Sequence, residues 1–231
     1  QNLIAQQGDV GNSRLYLISP DGRDAENPDR SAAHPDDQAY VPGWPAKLGM
    51  ILLDVLPVIG NGVTTQVAIG DVKPSSPGME IVATSAAGPV YVFKADGTSA
   101  YGTGTGGNDN PALWAGGLGG EQNGRYGAGR SSTDLIATAS AFSGPAVGRI
   151  DADTVADFTA PTAGFTRLID LSATESQSPS DDQVLAWKGG DTGNALPGFP
   201  QVTADIGFFV SPAIADLDGD GRNETITGNG V

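Results

Sequence analysis

The residues best suited to chemistry lie near the end of the chain, in 216-DLDGDGRNE-224. Asp216, Asp218 and Asp220 occupy alternate positions, Gly221 follows, and Glu224 closes the set. Calcium takes about six to eight oxygens at about 2.3–2.6 Å. A loop with carboxylates at positions 1, 3 and 5, a backbone carbonyl at 7 and a carboxylate at 9 can wrap them around one point. Asp216, Asp218 and Asp220 would fill the first three places, Arg222 would give its carbonyl, and Glu224 would be the last ligand. Gly221, at position 6, permits a reversal that a residue with a Cβ resists. Carboxylates held about 4 Å apart repel by roughly 1 kcal/mol per pair even in water, so a cation is the natural remedy. An EF-hand would need an acidic residue at position 12 and helices on both sides. Position 12 is Thr227, and the flanks FFVSPAIA and ETITG are β-branched and strand-like, so that reading fails on both counts.

The elements that must position this loop repeat along the chain. TQVAIGDVKPSSPGMEIVAT at 65–84, SGPAVGRIDADTVADFTAPT at 143–162 and VSPAIADLDGDGRNETITGN at 210–229 align on their small-residue runs. Asp71, Arg149 and Asp216 then share one column, spaced 78 and 67 residues apart, and Glu80, Asp157 and Glu224 correspond as well, the first after one extra residue in its loop. Short runs of β-branched and aromatic residues joined by Gly turns predict hairpins at 2–22 and 79–97, with a less regular counterpart ending at 181–193. VPGWPAKLG at 41–49 and LPGFPQVT at 196–203 place an aromatic between two prolines. That pattern suits an edge strand whose ring covers the adjoining sheet. Each unit therefore reads as strand, acidic loop, strand, turn, strand, Asp-Gly turn and Pro-aromatic-Pro strand, the plan of a propeller blade. The expected organisation of 1–231 is a single partial propeller: an incomplete first blade at 1–49, a second at 50–140 with a Gly-rich insertion, a third at 141–204, and the start of another at 205–231.

SPAIADLDGDGRNETITG closely resembles the FG-GAP repeat, the VCBS-type repeat of bacterial proteins that also builds integrin α-subunit propellers. The Asp-Gly turn after VYVF and the PGWP and PGFP segments fit the same family. The match is strong at 210–229, weaker at 65–84 and weakest at 143–162. The resemblance implies an all-β fold of the β-propeller type, an extracellular or cell-surface setting, Ca2+ in a structural role, and a part in recognition or adhesion.

The other two acidic loops are informative through what they lack. GRIDADTVAD carries Arg149 at the first ligand position while keeping Asp151, Asp153 and Asp157, so the guanidinium is expected to neutralise the carboxylates in place of a metal. GDVKPSSPGME keeps only Asp71 and Glu80, with Lys73 at the third position, and is expected to hold its shape through Lys73 and its prolines. Catalytic candidates are thin. His34 is the only histidine and sits in a polar, proline-bearing insertion, and no G-x-S-x-G elbow accompanies it. The Gly-rich stretch at 102–130 lacks both a GK[ST] ending and a strand-to-helix G-x-G-x-x-G, and reads as a long loop. Tyr101, Trp114, Tyr126 and Arg130 lie in or near it, as either a recognition surface or the loop's own small core.

Composition bounds the remaining possibilities. With no cysteine, the chain is neither disulfide-stapled nor a thiol enzyme. Its 34 glycines and 16 prolines accompany clustered apolar residues, as tight turns between short strands require. A net charge of −15 excludes nucleic acid as a partner, since nothing would neutralise the phosphates. No apolar run reaches the roughly 20 residues of a membrane span. Because the strands that can be counted do not close a ring, the chain is expected to belong with further blades of a longer protein. The favoured function is a secreted, calcium-binding recognition or adhesion module for a protein or glycan ligand, more a binder than an enzyme. The alternative is part of a secreted carbohydrate-active enzyme, a polysaccharide lyase or hydrolase, built on or attached to a propeller.

Overall fold

The computed structural model describes residues 14–20, 41, 43–44, 46–47, 65–85, 88–98, 100–101, 139–140, 143–164, 183–190, 193, 196–199, 201–203 and 210–228. Among them the fold is all-β, without a helix. Its strands are β1 (Arg14–Leu15), β2 (Ala46–Lys47), β3 (Ala68–Gly70), β4 (Glu80–Ser85), β5 (Gly88–Phe93), β6 (Ala139–Ser140), β7 (Ala146–Gly148), β8 (Asp157–Gly164), β9 (Gln183–Trp187), β10 (Gln201–Val202), β11 (Ala213–Ala215) and β12 (Glu224–Ile226). They form antiparallel sheets ordered β1-β2, β3-β4-β5, β10-β9-β8 with β6 and β7 both on the far edge of β8, and β11-β12.

The three acidic segments fold alike. Each begins with a three-residue strand, passes through its loop, and returns in the same register: Gly70 opposite Glu80, Gly148 opposite Asp157, and Ala215 opposite Glu224. In the first two units a third strand continues the sheet, with Ile81 opposite Phe93 and Phe158 opposite Trp187. The two runs IVAT and VYVF thus form the expected hairpin. The hairpin expected at 2–22 lies partly outside the described residues, and within them Leu15 pairs with Ala46 of β2.

Alternation along β4 and β5 sends side chains to opposite faces of their sheet, and both faces are covered. Val82, Val90 and Val92 join Val72, Phe158, Leu185 and Trp187 in one core, between this sheet and the β8-β9 sheet. Ile81, Ala83, Tyr91 and Phe93 pack with Trp44, Leu15 and Leu17 on the other side. A strand buried on both faces explains why these runs are apolar throughout, without polar alternation. Aromatic contacts reinforce each core: Phe158 stacks on Trp187 at 5.6 Å between centroids, and Trp44 tilts onto Phe93 at 5.6 Å. Such pairs contribute about 0.5–1.5 kcal/mol beyond their buried area.

The Pro-aromatic-Pro segments depart from the expectation that they are strands. Each makes a turn, with the Trp44 amide donating to the Val41 carbonyl and the Phe199 amide to Leu196. The edge strands β2 and β10 begin only after the second proline. The expected role of the ring is kept at Trp44, which is buried and donates its Nε1–H to the Ala95 carbonyl at 2.8 Å.

The first strands of the three units lie side by side, β7 next to β3 and β11 next to β7. The contacts repeat in register. A Cβ built on Gly70 would fall 2.4 Å from Cγ1 of Val147, and one on Gly148 would fall 2.9 Å from Cγ2 of Ile214. Val147 and Ile214 hold equivalent positions in consecutive units, so each unit presses a β-branched side chain against the bare backbone of the one before. At their starts the strands converge, where the Gln66 amide donates to the Ser211 hydroxyl beside Gly144. Substituting Gly70→Ala therefore overpacks the joint and is expected to cost about 1–3 kcal/mol in urea unfolding. Adding Val147→Ala should recover part of that loss in a double-mutant cycle, whereas strict additivity would show that the two sites do not share this contact.

Candidate metal centre

The loops owe their shape to carboxylates that accept backbone amides. In the second unit Asp157, fully buried at the start of β8, takes the amides of Ile150 and Asp151 on Oδ2 at 2.8 and 3.1 Å and that of Gly189 on Oδ1 at 3.0 Å. Glu80, equally buried, takes the amides of Val72 and Lys73 at 3.1 and 3.0 Å. Glu224 takes the amide of Leu217 at 2.8 Å. The acid that opens each second strand is thus a fastener that draws the loop's beginning onto that strand.

The second and third loops also share their internal turns. Asp151 Oδ1 accepts the amide of Asp153 and Asp153 Oδ1 that of Val155. Asp218 Oδ1 accepts the amide of Asp220 and Asp220 Oδ1 that of Arg222. In the third loop Asp216 adds bonds from the amides of Gly219 and Gly221 at 2.7 and 3.0 Å. Gly221, at φ +88°, adopts the left-handed conformation for which glycine suits this position.

Around these frames the charges are arranged differently. In the third loop one carboxylate oxygen each from Asp216, Asp218 and Glu224 lie within 4.8 Å of one another. Two ligands on opposite sides of an ion at about 2.4 Å are themselves about 4.8 Å apart, so these three can touch one cation the size of calcium. The loop is exposed, so water can complete the coordination shell. Of the five expected ligands, Asp216, Asp218 and Glu224 converge. Asp220 is outside this trio, its Oδ1 on the Arg222 amide, and Arg222 enters the described geometry through that amide.

In the second loop the cation is built in, but it is not the one expected. Lys188, immediately after β9, places its Nζ 2.6 Å from Asp151 Oδ2 and 2.7 Å from Asp153 Oδ2. Arg149 is exposed and offers its carbonyl to the Asn223 side chain of the next unit. Arg149, at the exit of a three-residue strand, makes no ion pair with these carboxylates, whereas Lys188 leaves the third strand beside them. The lysine was visible in the sequence as VLAWK, parallel to VYVFK, but a pairing across 37 residues follows from sheet topology alone. In the first loop Lys73 does shape its surroundings as expected: its Nζ donates to the Ala100 carbonyl at 2.6 Å and sits 4.8 Å above the Tyr101 ring. Tyr101 is buried, with its hydroxyl on the Val72 carbonyl at 2.9 Å, so it belongs to the core and not to a recognition surface. His34, Trp114, Tyr126 and Arg130 lie outside the described residues.

These surroundings move the carboxyl groups in opposite directions. Burial pushes Asp157 above the usual carboxylate range, opposed by the amides of Gly189, Asp151 and Ile150. The hydrogen bond from Lys188, aided by the Val155 amide, holds Asp153 below its ordinary value. The same pair of aspartates raises Lys188, with Asp151 the larger cause.

A comparison with protein-family models and with curated proteins finds no match to this chain.

Two outcomes are expected. A depressed Asp153 favours the folded state above the unfolded-state pKa near 3.8, and that contribution disappears as pH falls through the lower folded value. Lys188→Met should therefore destabilise the protein at pH 7, by an amount that shrinks as the pH is lowered through the acid range. In carbon-13 titrations it should raise the Asp153 midpoint while that of Asp157 stays above the ordinary range. Asp157→Asn leaves at least one of the three amides that Asp157 accepts facing a donor, and should cost about 1–3 kcal/mol in urea unfolding.

Proposed function

We propose that the chain is a calcium-stiffened segment of a β-propeller of the FG-GAP type, working outside the cell as a recognition or adhesion module and not as a catalyst. The observation that carries this reading is the ammonium of Lys188. In the loop whose internal turns match those of the third, a cation already sits on the two aspartates equivalent to Asp218 and Asp220. The third loop keeps the same frame, adds Asp216 and lacks such a lysine among the described residues, which favours an external cation.

Calcium is favoured over magnesium by the donor set. An exposed loop that offers several carboxylate oxygens suits calcium's variable coordination, whereas magnesium demands near-ideal octahedral geometry and keeps several waters. A site with so little burial fits an extracellular setting, where calcium reaches millimolar levels. The propeller reading is supported by three units of one plan, stacked in a constant register with their first strands converging. Further blades, from a longer chain, would complete the ring. In this reading the ion acts structurally: it draws Asp216, Asp218 and Glu224 together, fixes the rim of the unit, and so holds the neighbouring loops for a protein or glycan ligand.

The proposal is tested by thermal unfolding in calcium and in chelator. Calcium at about 100 times its dissociation constant should stabilise the protein by about 2.7 kcal/mol, and Asp218→Ala should remove that gain. The same variant should weaken binding to an immobilised glycan or protein ligand found for the native chain. Equal melting with calcium and chelator would exclude the structural role.

A further inference from the structure

The groove between the first acidic loop and the Asp-Gly turn that follows β5 has no role in the reading above. Its volume is about 410 Å³, and Lys73, Ser75, Ser76, Lys94, Asp96 and Ala100 line it. The register of the two complete units makes Lys94 the counterpart of Lys188: Phe93 and Trp187 stand opposite Ile81 and Phe158, and each lysine follows directly. Counted from the start of each loop, Lys73 and Ser75 stand where the second unit has Asp151 and Asp153. One unit therefore holds a lysine on two carboxylates, and the other keeps the lysine but has lost both carboxylates and opens a groove in their place.

Three details identify what this groove lacks. The Lys94 ammonium has neither of the two short carboxylate contacts that Lys188 makes, and acts on the neighbouring Asp96 carboxylate through space alone. Asp96 is nearby, but its Oδ1 is taken by the amide and hydroxyl of Thr98 at 2.9 and 2.6 Å. Ser76 is 9% exposed, and its hydroxyl is buried without a partner in the wall of the groove. Lys73 adds a second ammonium: it gives one hydrogen bond to Ala100 and has further donors to offer. Two cations against the single carboxylate of Asp96, with an unpartnered hydroxyl just beneath the surface, leave the groove locally cationic on a protein whose net charge is −15. The distant acidic residues do not cancel it, because charges are screened over about 8 Å at physiological ionic strength.

We propose that this groove binds a small carboxylate ligand, with Lys94 and Lys73 meeting its oxygens in the place that the Asp151 and Asp153 carboxylates fill in the next unit. The ligand is a compact acid, not a polyanion: a long anionic chain would run beyond the two lysines onto the acidic surface.

Malonate, whose two carboxylates sit on one carbon, is the probe, and neutral malonamide of the same shape is the control. Both are titrated into nitrogen-15-labelled protein at constant ionic strength while the amide signals of residues 73–77 and 94–98 are followed. Malonate should give saturable shifts confined to these residues with a dissociation constant in the millimolar range, and malonamide should give none. Lys94→Met should weaken malonate on the order of tenfold, the loss of one charge-assisted hydrogen bond. Ser75→Asp supplies an internal carboxylate at the position of Asp153, and should abolish malonate binding while leaving the thermal midpoint equal or higher. This second variant decides the matter if Lys94→Met does not fold. Shifts that do not saturate, that malonamide reproduces, or that persist unchanged in Ser75→Asp would overturn the proposal.

Discussion

Each unit depends on one carboxylate at the beginning of its second strand, buried in the first two units and more open in the third. Glu80 and Asp157 are completely buried, where a carboxylate without donors would be strongly disfavoured; amides bind both oxygens of Asp157 and Oε2 of Glu80, whose Oε1 is left without a hydrogen-bond partner. This clamp closes the loop and sets the register of the two strands it joins. A shift by one residue would turn every side chain of β4 or β8 to the opposite face, and since the β4-β5 sheet is buried on both faces by different partners, neither core would survive. The clamp therefore reaches from a single hydrogen-bonded turn to the stacking of whole sheets.

With the frame held by the backbone, the charges around it are free to differ. The loop of the first unit uses Lys73 to reach Ala100 and Tyr101. That of the second is neutralised by Lys188, and that of the third gathers three carboxylates. The charges at positions 1, 3 and 5 thus differ from loop to loop while the fold stays the same, because the acid that opens the second strand does the structural work in all three. The same independence accounts for the groove at Lys94, where the frame persists and its carboxylates do not.

Packing between units follows the same logic. Val72 is fully buried because it meets Phe158 and Trp187 of the following unit. Leu217, at the same position of the third loop, is 68% exposed. An identical place in the repeat is core in one unit and surface in another, according to what is packed against it.

The sequence by itself determined the three-fold recurrence, the antiparallel pairing around each acidic loop and the residues able to ligate a cation. These follow from local patterns: apolar runs of strand length, glycines where the chain reverses, and carboxylates at alternating positions. It also brought Glu80, Asp157 and Glu224 into correspondence, although reading Glu224 only as a metal ligand missed that all three acids hold backbone amides. Tertiary structure alone decided that Lys188, and not Arg149, meets Asp151 and Asp153, that PGWP and PGFP are turns, that Tyr101 is core, and that Gly70 and Gly148 are seats for side chains of the next unit. Each of these depends on which sheet lies beside which, and residues dozens of positions apart acquire a common environment only once the strands between them have paired and stacked.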